Sequence, residues 1–407
     1  MLLSMTAPDT LSLQKIDAST RQAIAESFPM GFIMKHGSDN PLTIHSADPR
    51  LFRAMYALIA ETLSVSVKLN RSTKEKIATL VSEKNKCPVC VVAHTMMETM
   101  ASEIERNSYN NKLLPTEDAL AMILEHAESL LEEEDNSRHK KTNKESSTLN
   151  EATRAEIALI VLVFHHMNRV VSAIMGEEMS TAMMGVPRFV AKHMENPSLV
   201  ATISRWLRVS GLLEGPFLAH NEAGMTRKAL FFEEETEAMA SALVENLPDH
   251  LQGVQLAGRE RAICVGRLLE WSKTYETALL NEGRFLSRDL LAILDRTIAE
   301  KAAIDKCDDN GCHHPGTTIK WANTCILETD FRSSLENLAD QGTGSWIVVM
   351  LLCLSLAPQV VYQSLCWDET VRKLGKQRAR CLVFWWSLRM TLRDAAGLTL
   401  GNNKAAQ

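Results

Sequence analysis

Aromatic residues are scarce in this chain. They make up 5% of its 407 residues, while methionines number 19. Strands draw heavily on aromatic and β-branched side chains, so this balance suits packed helices better than sheets. A basic excess is also missing. The net charge is −6 and the pI is near 6.1, which leaves no electrostatic footprint for nucleic acid. Nor is there a secreted disulfide framework: nine cysteines are spread unevenly along a long chain. No basic segment, apolar run and cleavage site opens the sequence, and Met1-Leu2-Leu3-Ser4-Met5 is too short to serve. The expectation is a cytoplasmic, reducing compartment, where a close cysteine pair is catalytic or metal-binding rather than structural. Trp346 to Trp367 carries no charge and has the length of a membrane span, but Pro358, Gln359 and Gln363 interrupt it. A buried helix is expected there instead. With 45% hydrophobic residues, the chain has material for a sizeable core and two or three domains.

What is present centres on Lys84-Asn85-Lys86-Cys87-Pro88-Val89-Cys90-Val91-Val92-Ala93-His94. In a helix, Cys87, Cys90 and His94 fall at i, i+3 and i+7, on one face of two turns. Pro88 suits the first helical position, after a start near Cys87. A thiol at a helix N-terminus feels the positive end of the dipole, which favours its thiolate. His94 lies one turn past Cys90 and is placed to take or return that proton. A second helix, read over Ser72 to Val81, precedes the pair. Its Glu75 could fold back to orient the histidine.

Glu75, eleven intervening residues, then Cys87-x-x-Cys90-x-x-x-His94 resembles the signature of the alkylhydroperoxidase-D-like / carboxymuconolactone decarboxylase superfamily. The resemblance implies an all-α fold, often as a homo-oligomer. In the thiol-bearing branch it implies a peroxidase or disulfide reductase acting on a small hydroperoxide, with an external dithiol as reductant and no cofactor. Carried over by residue, Cys90 would attack the peroxide and Cys87 would resolve it, with His94 and Glu75 as proton relay. This chain departs at Val89, where the better-known peroxidases have a histidine. The decarboxylase branch lacks the CxxC pair. Three alternatives for the motif stay open on the residues themselves. One is a zinc site on Cys87, Cys90 and His94, completed by Glu75 or a remote histidine. Another is a pair of inert buried thiols. The third is a non-catalytic scaffold or redox sensor that keeps the fold.

Elsewhere the reading is organisational. Residues 1–40 read as an arm, 41–195 as the CxxC-bearing helical domain, 196–225 as a connector and 226–400 as a second domain. Asp48-Pro49 starts a helix with Leu51, Met55, Leu58 and Ile59 in phase. Leu113 to Leu131 contains another. The run Glu132 to Ser147 has no apolar residue, so 132–148 is expected to be a mobile loop. Glu156 to Met175 is strongly apolar and carries His165 and His166. Adjacent side chains on a helix diverge by about 100°, so one histidine is expected in the core and one at the surface, or one at the rim of the thiol pocket.

Ala54-Met55-x-x-Leu58-x-x-Glu61-x-Leu63 has a near copy in Ala238-Met239-x-x-Ala242-x-x-Glu245-x-Leu247. Continuing the alignment puts Glu75 on Glu260, Cys87 on Ser272, Cys90 on Tyr275 and His94 on Leu279. Two tandem helical units are therefore expected, the second degenerate and without the thiols. Cys307-x4-Cys312-His313-His314 has zinc-ligand residue types at a spacing that matches no common module, and reads as an inserted loop. Cys264, Cys325, Cys353, Cys366 and Cys381 lie among apolar neighbours and read as buried hydrophobes. Cys381 to Trp386 reads as core.

Overall fold

The structure is a computed structural model. It describes residues 43–107 apart from 64, 66 and 67, together with 115–132, 149–174, 237–251, 258–282, most of 286–298, 345–356 and 365–403. The arm at 1–40, the charged run, the connector and the Cys307–Cys312–His313 group lie outside these residues. Among the described residues the architecture is all-α, without strands. The chain groups into two compact units. One takes in Met1–Asn168, Glu177–Leu269 and Thr391–Gln407; the other takes in Arg169–Gly176 and Glu270–Met390.

In the first unit, α1 spans Pro49–Leu63, with a short 3-10 turn over Thr43–Ala47 before it. Asp48 caps α1 by accepting the Arg50 amide at 2.8 Å, and Pro49 takes the first helical position, where its missing N–H is not needed. α2 spans Arg71–Lys84 and α3 spans Pro88–Asn107. α4 covers Glu117–Glu132, capped by the Thr116 hydroxyl, and α5 covers Glu151–Ile174, capped by Asn150. α5 is long and apolar enough to cross a bilayer, but 72% of its most apolar window is buried inside the protein, as befits a core helix. α6 spans Glu237–Glu245 and α7 spans Arg259–Glu282, with its residues up to Leu269 in this unit.

Between α1 and α2 the chain is held by buried charge. The Lys74 ammonium donates to Glu156 Oε1 at 2.7 Å, to the Thr62 carbonyl at 2.9 Å and to the Val65 carbonyl. Arg261 donates to the same Glu156 oxygen at 3.0 Å and to the carbonyls of Glu61 and Val65. Glu156 Oε2 accepts the amides of Lys68 and Leu69. The three buried charges thereby partner one another and the carbonyls and amides named here, which is the condition for burying charge at all. The start of α2 is fixed from α3, where Glu105 accepts the Ser72 backbone amide and hydroxyl and the side-chain Nδ2 of Asn70. A carboxylate at a helix N-terminus also complements the dipole.

In the second unit, α8 spans Ser345–Leu356 and α9 spans Leu365–Leu374; α10 spans Lys376–Asn403, with its residues up to Met390 in this unit. Gly375, at φ +77°, makes the left-handed turn between α9 and α10 that a side chain would resist. The core reading of Cys381 to Trp386 holds: all six are buried, and Trp386 Nε1 donates to Ser355 Oγ at 2.8 Å. Among the described residues, the uncharged run around Trp346 supplies the 12-residue helix α8.

The expected duplication does not extend to the thiol region. α2 and α3 form a hairpin, broken at Asn85-Lys86-Cys87, whereas α7 runs unbroken through the aligned positions Ser272 and Tyr275. On one straight helix, Glu260 and Leu279 lie about 28 Å apart. The cause is local: Pro88 disfavours helix at the residue before it and lacks an N–H, and nothing in Glu270-Trp271-Ser272-Lys273-Thr274 does the same.

Candidate active site

The site is built on the α2–α3 turn. The Cys87 amide donates to the Ser82 carbonyl at 2.9 Å and the Lys86 amide to the Glu83 carbonyl at 3.0 Å. These two bonds, with Lys86 at φ +53°, make a Schellman motif. Cys87 is thus the residue that ends α2 and also the one that opens α3, where its carbonyl accepts the Val91 amide at 3.0 Å. Its backbone is tied on both sides, and Cys90 follows within the first turn. Lys86 holds a conformation that disfavours an L side chain and is the position glycine usually takes. Lys86→Gly is expected to raise stability by about 0.5–1 kcal/mol, read as a higher urea midpoint with an unchanged slope.

The structure joins the four expected catalytic residues in two pairs, Cys87 with Cys90 and Glu75 with His94. Cys87 Sγ and Cys90 Sγ lie 2.6 Å apart, both as thiols, and both residues are buried, at 1% and 5% exposure. Glu75 Oε2 accepts from His94 Nδ1 at 2.6 Å, and Glu75 is completely buried. His94, at 9% exposure, is the most accessible of the four. It follows Cys90 by one turn of the same helix. With Nδ1 committed to the carboxylate, Nε2 is the nitrogen left for proton transfer. Phe164 on α5 meets the imidazole in a T-shaped arrangement, with ring centroids 4.4 Å apart.

The electrostatics modify one expectation. The helix dipole was expected to favour the Cys90 thiolate. Instead, burial pushes the Cys90 thiol well above the usual thiol range, and the hydrogen bond and charge of Cys87 beside it push the same way. A sulfur held away from water loses more solvation on ionising than the first turn of a helix returns. Glu75 goes the other way. Burial opposes its ionisation, but Arg71 and His94 together hold its carboxyl below the ordinary range.

Arg71 escaped the sequence reading. Its Nε donates to Glu75 Oε1 at 2.6 Å, and a second guanidinium nitrogen reaches the same oxygen. The signal was its place four residues before Glu75, the helical spacing of an ion pair. His166 is buried, and its Nε2 lies 3.4 Å from Nε2 of His45 on the 3-10 turn. His165 is half-buried, so the two do divide between core and surface. Among the described residues, no group of three or more histidine, cysteine or acidic side chains is arranged to hold a metal.

No family model, no curated protein and no solved structure matches this chain.

Proposed function

We propose that the chain is a thiol-dependent peroxidase or disulfide oxidoreductase of the alkylhydroperoxidase-D-like kind. The observation that carries this reading is the line of contacts from Arg71 through Glu75 to His94, which lies one turn of α3 past Cys90, itself 2.6 Å from the Cys87 sulfur. His94 Nε2 takes the Cys90 proton. The thiolate attacks the terminal oxygen of a small hydroperoxide, an S–O bond forms and the O–O bond breaks. The departing alkoxide takes the proton back from His94, leaving an alcohol and Cys90 sulfenic acid. Cys87 then attacks that sulfur, water leaves and a Cys87–Cys90 disulfide remains. An external dithiol restores both thiols by exchange. The sulfurs need to close by only about 0.6 Å to reach bonding distance, so the second step needs little rearrangement.

The raised Cys90 pKa gives the reading a pH signature. The thiolate is populated only as pH climbs above the usual thiol range, so the rate of peroxide consumption should still be rising at about pH 9, where a free cysteine has begun to level off. Stopped-flow measurement with peptide mapping tests this. A plateau below about pH 8, or a disulfide elsewhere than Cys87–Cys90, counts against it.

The burial of both sulfurs favours a second reading, in which the fold is kept as a redox sensor. There the pair oxidises once per chain and signals through the α2–α3 turn, without turnover.

A further inference from the structure

The geometry points to Arg71 as a positioning residue that decides which nitrogen of His94 carries the proton. Its rate effect rests on the peroxidase reading above; its effect on the imidazole does not. Glu75 has no water to stabilise its charge, since it is wholly buried. Its two oxygens are divided between partners: Oε1 takes Arg71, and Oε2 takes His94 Nδ1. The other charged groups nearby do not replace the guanidinium. Lys74, on the same helix, is committed to Glu156. Glu98 on α3 is acidic, pairs with Lys76 at 3.6 Å and acts on Glu75 with the wrong sign.

Take the guanidinium away and a buried carboxylate faces one imidazole. The cheaper arrangement is then a carboxylic acid donating its proton to Nδ1. Reaching that state takes up one proton from solvent: the Nδ1 proton passes to the carboxylate and the incoming proton sits on Nε2, the nitrogen that has to accept from Cys90. Arg71 therefore holds the base in its working tautomer without touching substrate, as a buried carboxylate does for the imidazole of a serine-protease triad. The guanidinium is itself pinned by α3, where Nη2 lies 3.8 Å from Met97 Sδ.

The test is carried out on the full chain. The 15N shifts of His94 report the tautomer directly. Wild type is expected to be protonated at Nδ1, Arg71→Met at Nε2, and Arg71→Lys at Nδ1, because the charge is kept. Should Arg71→Met fail to fold, the double variant Arg71→Met/Glu75→Gln removes both charges. Its amide oxygen still accepts from Nδ1–H, so the wild-type tautomer should return. Peroxide consumption should fall about a hundredfold in Arg71→Met at neutral pH with KM little changed, recover as pH rises far enough to ionise Glu75, and be largely restored by Arg71→Lys. A folded Arg71→Met that keeps the proton on Nδ1 overturns the assignment. So does a double variant protonated at Nε2. A wild type that consumes no peroxide but shows the tautomer shift overturns the peroxidase reading and leaves the role of Arg71 standing.

Discussion

Cys90→Ser is expected to abolish peroxide consumption, with a loss of about 10³-fold or more, in the range seen when a nucleophile is removed from an enzyme. Serine is nearly isosteric, and the site is closely built around the sulfur, so the fold should survive. The hydroxyl cannot replace it, because an alcohol is a far weaker nucleophile toward peroxide oxygen than a thiolate. Cys87→Ser should behave differently. It leaves the first step intact, so one equivalent of peroxide should be consumed quickly. The sulfenic acid on Cys90 then has no partner 2.6 Å away, and turnover should stop or depend on the added thiol. The contrast is the informative part: the two variants should separate attack from resolution. If Cys87→Ser loses the first equivalent and Cys90→Ser keeps it, the roles are reversed.

Glu156→Ala should be the most destabilising single change in the first unit, at about 3–5 kcal/mol. The substitution removes the shared counter-charge of Lys74 and Arg261 and two acceptors for the loop amides of Lys68 and Leu69. All three charged side chains are buried, so water cannot compensate. A fall in melting temperature of about 10 °C or more is expected in a thermal scan. The pair double variant Lys74→Met/Glu156→Met should recover part of the loss, because it removes a charge along with its partner. A Glu156→Ala protein as stable as wild type would mean that the cluster does not hold α1, α2 and α7 as described.

The same cluster sets a pH dependence. Glu156 and Glu75 are both held below their ordinary value of 4.5, in each case against burial: Glu156 by Lys74 and Arg261, Glu75 by Arg71 and His94. A depressed carboxylate stabilises the fold above its unfolded pKa, and that contribution fades as pH falls through the folded value. Stability should therefore decline from about pH 4.5 downward. Lys74 acts in another window. Burial draws its ammonium down to about 7 from 10.5, against the pull of Glu156. Between those values the unfolded chain binds the extra proton, so this group's contribution improves as pH rises from 7 toward 10.5.

The sequence told most about what is local. Cys87, Pro88, Cys90 and His94 belong to one helix start, and the proline, the spacing and the helical face were all readable from nearest neighbours. Glu75 was reachable because its spacing from the cysteines is part of a known signature. The Arg71 contact was also local, four residues away, and was passed over. What could not be read was long-range. Glu156 meets Lys74 and Arg261 across more than eighty residues in either direction, and no spacing rule joins them. His166 meets His45 for the same reason. The dipole argument misjudged Cys90 because it took account of helix position and not of burial, which only packing decides. The repeat does not carry through the thiol region because amphipathic helices share a period: similarity along α6 and α7 says nothing about whether the chain turns at the aligned cysteine.

The most direct measurement is the number of peroxide equivalents consumed per chain, with a dithiol in excess. A catalytic thiol pair predicts many equivalents, at a rate proportional to protein and lost in Cys90→Ser. Consumption that stops at one equivalent, or that the dithiol accounts for by itself, would contradict the account.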